Sequence, residues 1–166
     1  LLQHDINLLA YHLPLDIHPT LGNNAQLAQL LGLTQWVAVP GVEPNGVLQQ
    51  GEYATAKPLA DIALLLEQQL GRPVLVQDAG IGAVRKLAWC TGGGQSYIEQ
   101  AAAAGADLFI TGEVSEKTIH CSRELGIHFI AAGHHATERY GVKALGEYLA
   151  AQLGLTVHFV DIPNPA

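Results

Sequence analysis

His134, His135 and Glu138 stand within one short stretch, Ala132-Gly133-His134-His135-Ala136-Thr137-Glu138. Imidazole nitrogen and carboxylate oxygen bind divalent metals, and the spacing of His134 and Glu138 lets a loop entering a first helical turn aim both at one point. A carboxylate meeting the positive end of a helix, beside solvated imidazoles, accounts for the same residues. His12-Leu13-Pro14-Leu15-Asp16 offers the same ligand types a second time. Pro14 argues against continuous helix there, so His12 and Asp16 are expected on a loop, and an Asx-type turn at Asp16 is the plainer reading. Glu113 follows Thr111-Gly112 at a strand end. A carboxylate there can orient a metal ligand, act as a general base, or simply open the next helix. The glycines of Thr91-Gly92-Gly93-Gly94-Gln95-Ser96 free backbone amides for an anion, with Ser96 capping the following helix, although a tight turn needs the same glycines. The loop has neither dinucleotide-fingerprint spacing nor a phosphate-loop lysine. His120, His128 and His158 are read as structural or exposed.

The elements that must hold these groups alternate. Val84 to Cys90, Asp107 to Ile110 and Ile127 to Ala131 read as strands, each followed by a polar loop and a helix, the last helix carrying apolar spacing from Arg139 to Leu153. Such repetition implies parallel strands with right-handed crossovers, which brings the three loops to one edge of one sheet. Ligands bind in α/β sheets at that edge. Ahead of the repeat, Ile6 to Ala10 reads as a strand. Asn23 or Asn24 can cap a helix from Ala25 to Leu31, and Asn45-Gly46 signals a hairpin. Pro58 suits a first helical position for a helix ending at Gly71, and Pro73 to Val76 reads as a strand. His158 falls in an expected last strand.

The formal charge of -7, with only eight Lys and Arg in 166 residues, gives no basic stripe for nucleic acid. Apolar runs break well short of the roughly twenty residues that cross a bilayer, which excludes a helical membrane role. Cys90 and Cys121 do not form a Cys-x-x-Cys pair and fit reduced thiols, so a cytoplasmic protein is expected. The chain has no Met and opens on Leu1-Leu2-Gln3-His4, like the tail of a helix begun elsewhere, which suggests a fragment.

Taken in order, the motifs at 12–16, 90–94, 111–113 and 133–138, with Asp161-Ile162-Pro163-Asn164-Pro165 at the end, resemble the bacterial NIF-three-like family. Its members are usually labelled GTP cyclohydrolase 1 type 2 homologues, and the likeness to the family's C-terminal two-thirds spans essentially the whole chain. The resemblance implies an α/β fold of two domains with a metal cleft between them, the first domain truncated at its N-terminus. Residues 1–48 would be the remaining part of the first α/β domain and 49–166 the second. It implies two divalent metal ions, with zinc, iron, manganese and nickel not distinguished. Asp16 then looks like a carboxylate ligand, His134 like an imidazole ligand and Glu138 like a bridging carboxylate. His12 and Glu113 look like cleft residues near the metals, in catalytic roles. The family's further His-His pair maps ahead of Leu1. A homohexamer and a small-molecule substrate also come from the resemblance, and metal-dependent hydrolysis of a nucleotide-like substrate is the expected activity. A non-catalytic, metal-binding ring-shaped scaffold is the alternative.

Overall fold

Period-two alternation in three strands builds both faces of the protein. The computed structural model describes residues 1–164. Its central strands are β4 (Val84–Cys90), β5 (Leu108–Thr111) and β6 (His128–Ala131), which pair in parallel as expected. Side chains alternate across a sheet. Leu87, Trp89, Leu108, Ile110 and Ile130 therefore join one buried cluster, while Ala88, Cys90, Phe109, Phe129 and Ala131 join another. Three helices supply the first cluster: α2 (Asn23–Leu30), α3 (Leu59–Leu70) and α6 (His134–Leu153). The second is covered by α4 (Ile98–Ala103) and α5 (Glu116–Leu125). Helices on both faces leave β5, β6 and residues 87–90 of β4 buried, which is why these stretches read as short, largely apolar runs.

The outer strands join by antiparallel pairing. β1 (Trp36–Ala38), β2 (Gln49–Lys57) and β3 (Leu75–Gln77) complete a six-stranded sheet of order β1-β2-β4-β5-β6-β3. β2 is antiparallel to β4 and β1 to β2, while β3 is antiparallel to β6 at the far edge, so β2 and β3 run opposite to the central strands and β1 along them. Residues 36–38 precede the boundary expected at 48, and they join the same sheet as residues 49–57. The fold is thus a mixed α/β sheet with six α-helices among the described residues, counting the short α1 (Leu13–Asp16).

Several local expectations are corrected. Ile6–Ala10 forms no strand, and Ile6, Leu8 and Leu9 are exposed, so the run has no sheet partner to satisfy its backbone. Leu13–Asp16 is not loop, so Asp16 is presented from helix and only His12 from the bend before it: Pro14 is accommodated in the first turn of α1, where its missing N–H costs nothing. Neither Asn23 nor Asn24 caps α2, whose N-cap is Gly22. Asn45-Gly46 does lie between antiparallel β1 and β2, but in a ten-residue connection rather than a tight turn. Pro58 precedes α3 with extended backbone instead of entering it. Ser96 caps no helix. The segment carrying His158 is irregular, and of the closing motif Pro165 lies outside the described residues. No helix among the described residues is long and apolar enough to cross a membrane.

Leu66 is fully buried in the α3 layer. Leu66→Ala is expected to cost about 2–5 kcal/mol through lost burial and the cavity left behind. Urea unfolding measures this directly. A loss below about 1 kcal/mol would mean that α3 is loosely seated.

Candidate functional site

The three loops meet because the parallel ladder continues into them. The Gly112 amide donates to Gly92 O at 2.9 Å, Gly133 N to Gly112 O at 2.9 Å, and Ala132 N to Thr111 O at 2.8 Å. Gly112 permits this approach, since a Cβ there would stand 2.6 Å from Gly92 O and 2.7 Å from His134 Cα. Gly92, at φ 65°, is required for a second reason: a Cβ on it would collide with the Glu138 carboxylate and stand 3.0 Å from His134 Nε2. The amides of Gly92 and Gly94 are taken by Thr137 Oγ1 and Thr111 Oγ1, each at 3.0 Å. The glycine loop is therefore a steric device here and no anion cradle at those two amides.

His134 opens α6 rather than ending a loop, so it and Glu138 sit one turn apart on a continuous helix. Its Nδ1–H donates to Glu113 Oε1 at 2.7 Å, and Nε2 faces Glu138 Oε2 at 3.1 Å. Glu113 is itself oriented by Gln95, whose Nε2 donates to Oε2 at 3.1 Å. The hydrogen bond to Glu113 holds the His134 imidazole above its ordinary pKa against the opposing effect of burial, and lowers that of Glu113. Glu138 moves upward, chiefly because burial strips water from its carboxylate and then because the Asp16 charge repels it. His134 and His12 pull the other way more weakly.

Asp16 reaches this region through Asn23. It is buried, at 8% exposure, and its Oδ1 accepts from Asn23 Nδ2 at 2.7 Å. The same Asn23 side chain accepts the Gly141 amide of α6 at 2.7 Å, tying α1, α2 and α6 together. His12 lies exposed just before α1. Glu113, His134 and Glu138 line one cavity of about 990 Å³, together with Arg72, His135 and Arg139. Asp16 and His12 stand outside its wall and act on it by charge. Among the described residues, no three His, Cys, Asp or Glu side chains form a ready-made metal cluster.

Sequence reasoning missed the polar residues that hold the site. Asn23, Asn24, Thr111, Thr137 and Gln95 are ordinary cap and loop residues by local signal. Only burial distinguishes Asn23, Asn24, Thr111 and Thr137, each at most 4% exposed. His128, set aside as structural or exposed, is indeed buried and structural: Ala79 N donates to its Nδ1 at 3.1 Å, and Nε2 lies 3.0 Å from Gly82 O.

The chain and its fold have known relatives. A protein of Yersinia pestis named GTP cyclohydrolase 1 type 2 homolog is 62% identical, aligned over all of this chain and 66% of its own length. The protein of that name from Escherichia coli K12 is 55% identical over the same shares. The chain thus spans about two-thirds of the length of these curated relatives. Among solved structures, "protein ybgI, unknown function" superposes with a TM-score of 0.92 at 53% identity, covering 99% of this chain and 65% of that one. The protein TTHA1606 from Thermus thermophilus gives 0.88 at 36% identity, covering 99% and 64%. The model of the family described as Duf34/NIF3 (NGG1p interacting factor 3) matches residues 1–165, and on that match and these identities the chain belongs to the Duf34/NIF3 family.

Proposed function

We propose that this chain contributes Asp16, His134 and Glu138 to a dinuclear divalent-metal centre in a cleft between two α/β domains, and that the protein hydrolyses a nucleotide-like substrate. The observation that carries the reading is Glu138. A half-buried carboxylate pushed upward by desolvation and by a second carboxylate is costly to the fold in its ionised form, and a cation that neutralises both would remove that cost. The residues fit such a cation by donor chemistry. One imidazole nitrogen and two carboxylates suit zinc, iron, manganese or nickel alike, and Glu113 fixes the ring so that Nε2 faces Glu138.

When bound, divalent ions supply Lewis acidity toward a phosphoryl or ring oxygen and generate a nucleophile from water near neutral pH. The protein's own groups bind and orient. With both oxygens accepting hydrogen bonds and its pKa lowered, Glu113 acts as the positioning partner of His134 rather than as a base. His12, exposed and near enough for its charge to act on Glu138, is the candidate for proton transfer. The reading takes the whole protein to be a cytoplasmic, ring-shaped homohexamer with a small-molecule substrate.

The test is turnover. The purified protein is incubated with a nucleotide panel and manganese, zinc or iron. Metal-dependent product is expected, lost in Asp16→Asn, with metal affinity lowered about 10–100-fold in Glu113→Gln. Inertness toward the whole panel with tight metal retention would sink the hydrolase and leave the metal-binding scaffold.

A further inference from the structure

The cavity holding Glu113, His134 and Glu138 has a basic end that this site does not use. With eight Lys and Arg against fifteen Asp and Glu in the chain, two arginines in one cavity are not a sample of a generally basic surface. Arg72 and Arg139 both line it, with His135 beside them. The Arg72 guanidinium lies against Gly133, the residue before His134: a Cβ there would stand 2.7 Å from Cζ and 3.0 Å from Nε. Arg139 is held in place from behind, its Nη2 donating to Leu70 O at 2.8 Å.

An anion already sits at this end. Asp161, from the irregular segment after α6, places Oδ1 3.1 Å from His135 Nε2 and Oδ2 2.9 Å from Arg139 Nη1. Both of its oxygens are thus met by nitrogens of α6. A carboxylate on an irregular segment, gripped by an imidazole and a guanidinium in a cavity of this size, is the arrangement in which a tetrahedral oxyanion would compete. We infer that Arg72, His135 and Arg139 form a phosphate subsite beside the His134/Glu138 pair, covered in this structure by the Asp161 carboxylate.

The inference rests on the nucleotide-like reading of the substrate only for choosing phosphate as the anion. A phosphate seated there leaves the remainder of the substrate in the same cavity as His134 and Glu138. Asp161 then acts as an internal competitor, displaced when substrate enters.

Inorganic phosphate titrated calorimetrically into metal-free protein tests this without turnover. Saturable binding is expected, tightened about tenfold in Asp161→Asn and weakened about tenfold in Arg72→Gln, with Arg72→Lys retaining more of it, as for charge-assisted hydrogen bonds. No saturable binding in Asp161→Asn, or binding indifferent to Arg72→Gln, would overturn the subsite. Acetate binding as tight as phosphate would overturn the phosphate assignment. Should Arg72→Gln not fold, Arg72→Lys and Asp161→Asn decide. Phosphate binding without turnover removes the hydrolase and keeps the subsite; turnover indifferent to Asp161 and Arg72 does the reverse.

Discussion

Glu138→Gln is expected to remove tightly held divalent metal from the protein and, in the metal-free state, to raise its melting temperature. The opposite signs come from one cause. Burial and the Asp16 charge raise the Glu138 pKa, so the folded state favours the protonated form more than the unfolded chain does. Ionised Glu138 therefore lowers stability, progressively as pH rises from its ordinary value of 4.5 and fully above the raised one. Glutamine imitates the protonated form and keeps an oxygen and an amide near His134 Nε2. For a domain of this size, each kcal/mol recovered shifts the melting temperature by about 2–4 °C. The proposed metal ligation needs the carboxylate itself, so elemental analysis of Glu138→Gln should find less bound metal than in the wild type.

The neighbouring pair responds differently, which separates the effects by pH. Glu113 is lowered, so its contribution is present above its ordinary pKa and lost as pH falls through the folded value. His134 is raised, so its contribution is complete below 6.5 and lost as pH rises through its folded value. The pair is strongest between those limits, whereas the gain from Glu138→Gln grows toward neutral pH. Melting curves of metal-free wild type and Glu138→Gln at about pH 5 and about pH 7.5 measure this. A variant that melts lower at neutral pH and keeps its metal would remove the argument for Glu138 as a ligand.

Asn24→Leu is expected to have a large effect that is purely structural. Asn24 is 2% exposed, and its Nδ2 donates to Gly46 O and Val47 O, each at 3.0 Å, while its Oδ1 accepts the Thr91 amide at 3.0 Å. Leucine is similar in size, so the change is one of bonding more than volume. It strands a buried Thr91 N–H and the Val47 carbonyl; Gly46 O keeps its bond from Gln49. Each of the two stranded groups costs about 1–3 kcal/mol, which sets the loss at roughly 2–6 kcal/mol. Because Thr91 begins the glycine loop, phosphate binding and metal retention should weaken with it. Urea unfolding gives the stability change, and a loss under about 1 kcal/mol would show that water replaces the missing amide.

The sequence by itself determined what depends on near neighbours. Helix α3 follows from apolar residues at helical spacing, strands β4, β5 and β6 from short apolar runs, and the parallel order from their alternation with helices. The pairing of His134 with Glu138 also follows, since four residues is about one helical turn. Their family was legible in five separated motifs. Tertiary structure alone decided the rest. Asn23 bonds a partner 118 residues away and Asn24 one 67 residues away, so neither could be told from a helix cap by its surroundings in the chain. Gly112 and Gly92 are needed because backbone and carboxylate from other loops press on them. Asp161, in a segment with no periodicity, acquires its role only where His135 and Arg139 meet it. Local pattern reports which face of an element is apolar; it carries no information about which distant polar group that element will be asked to satisfy.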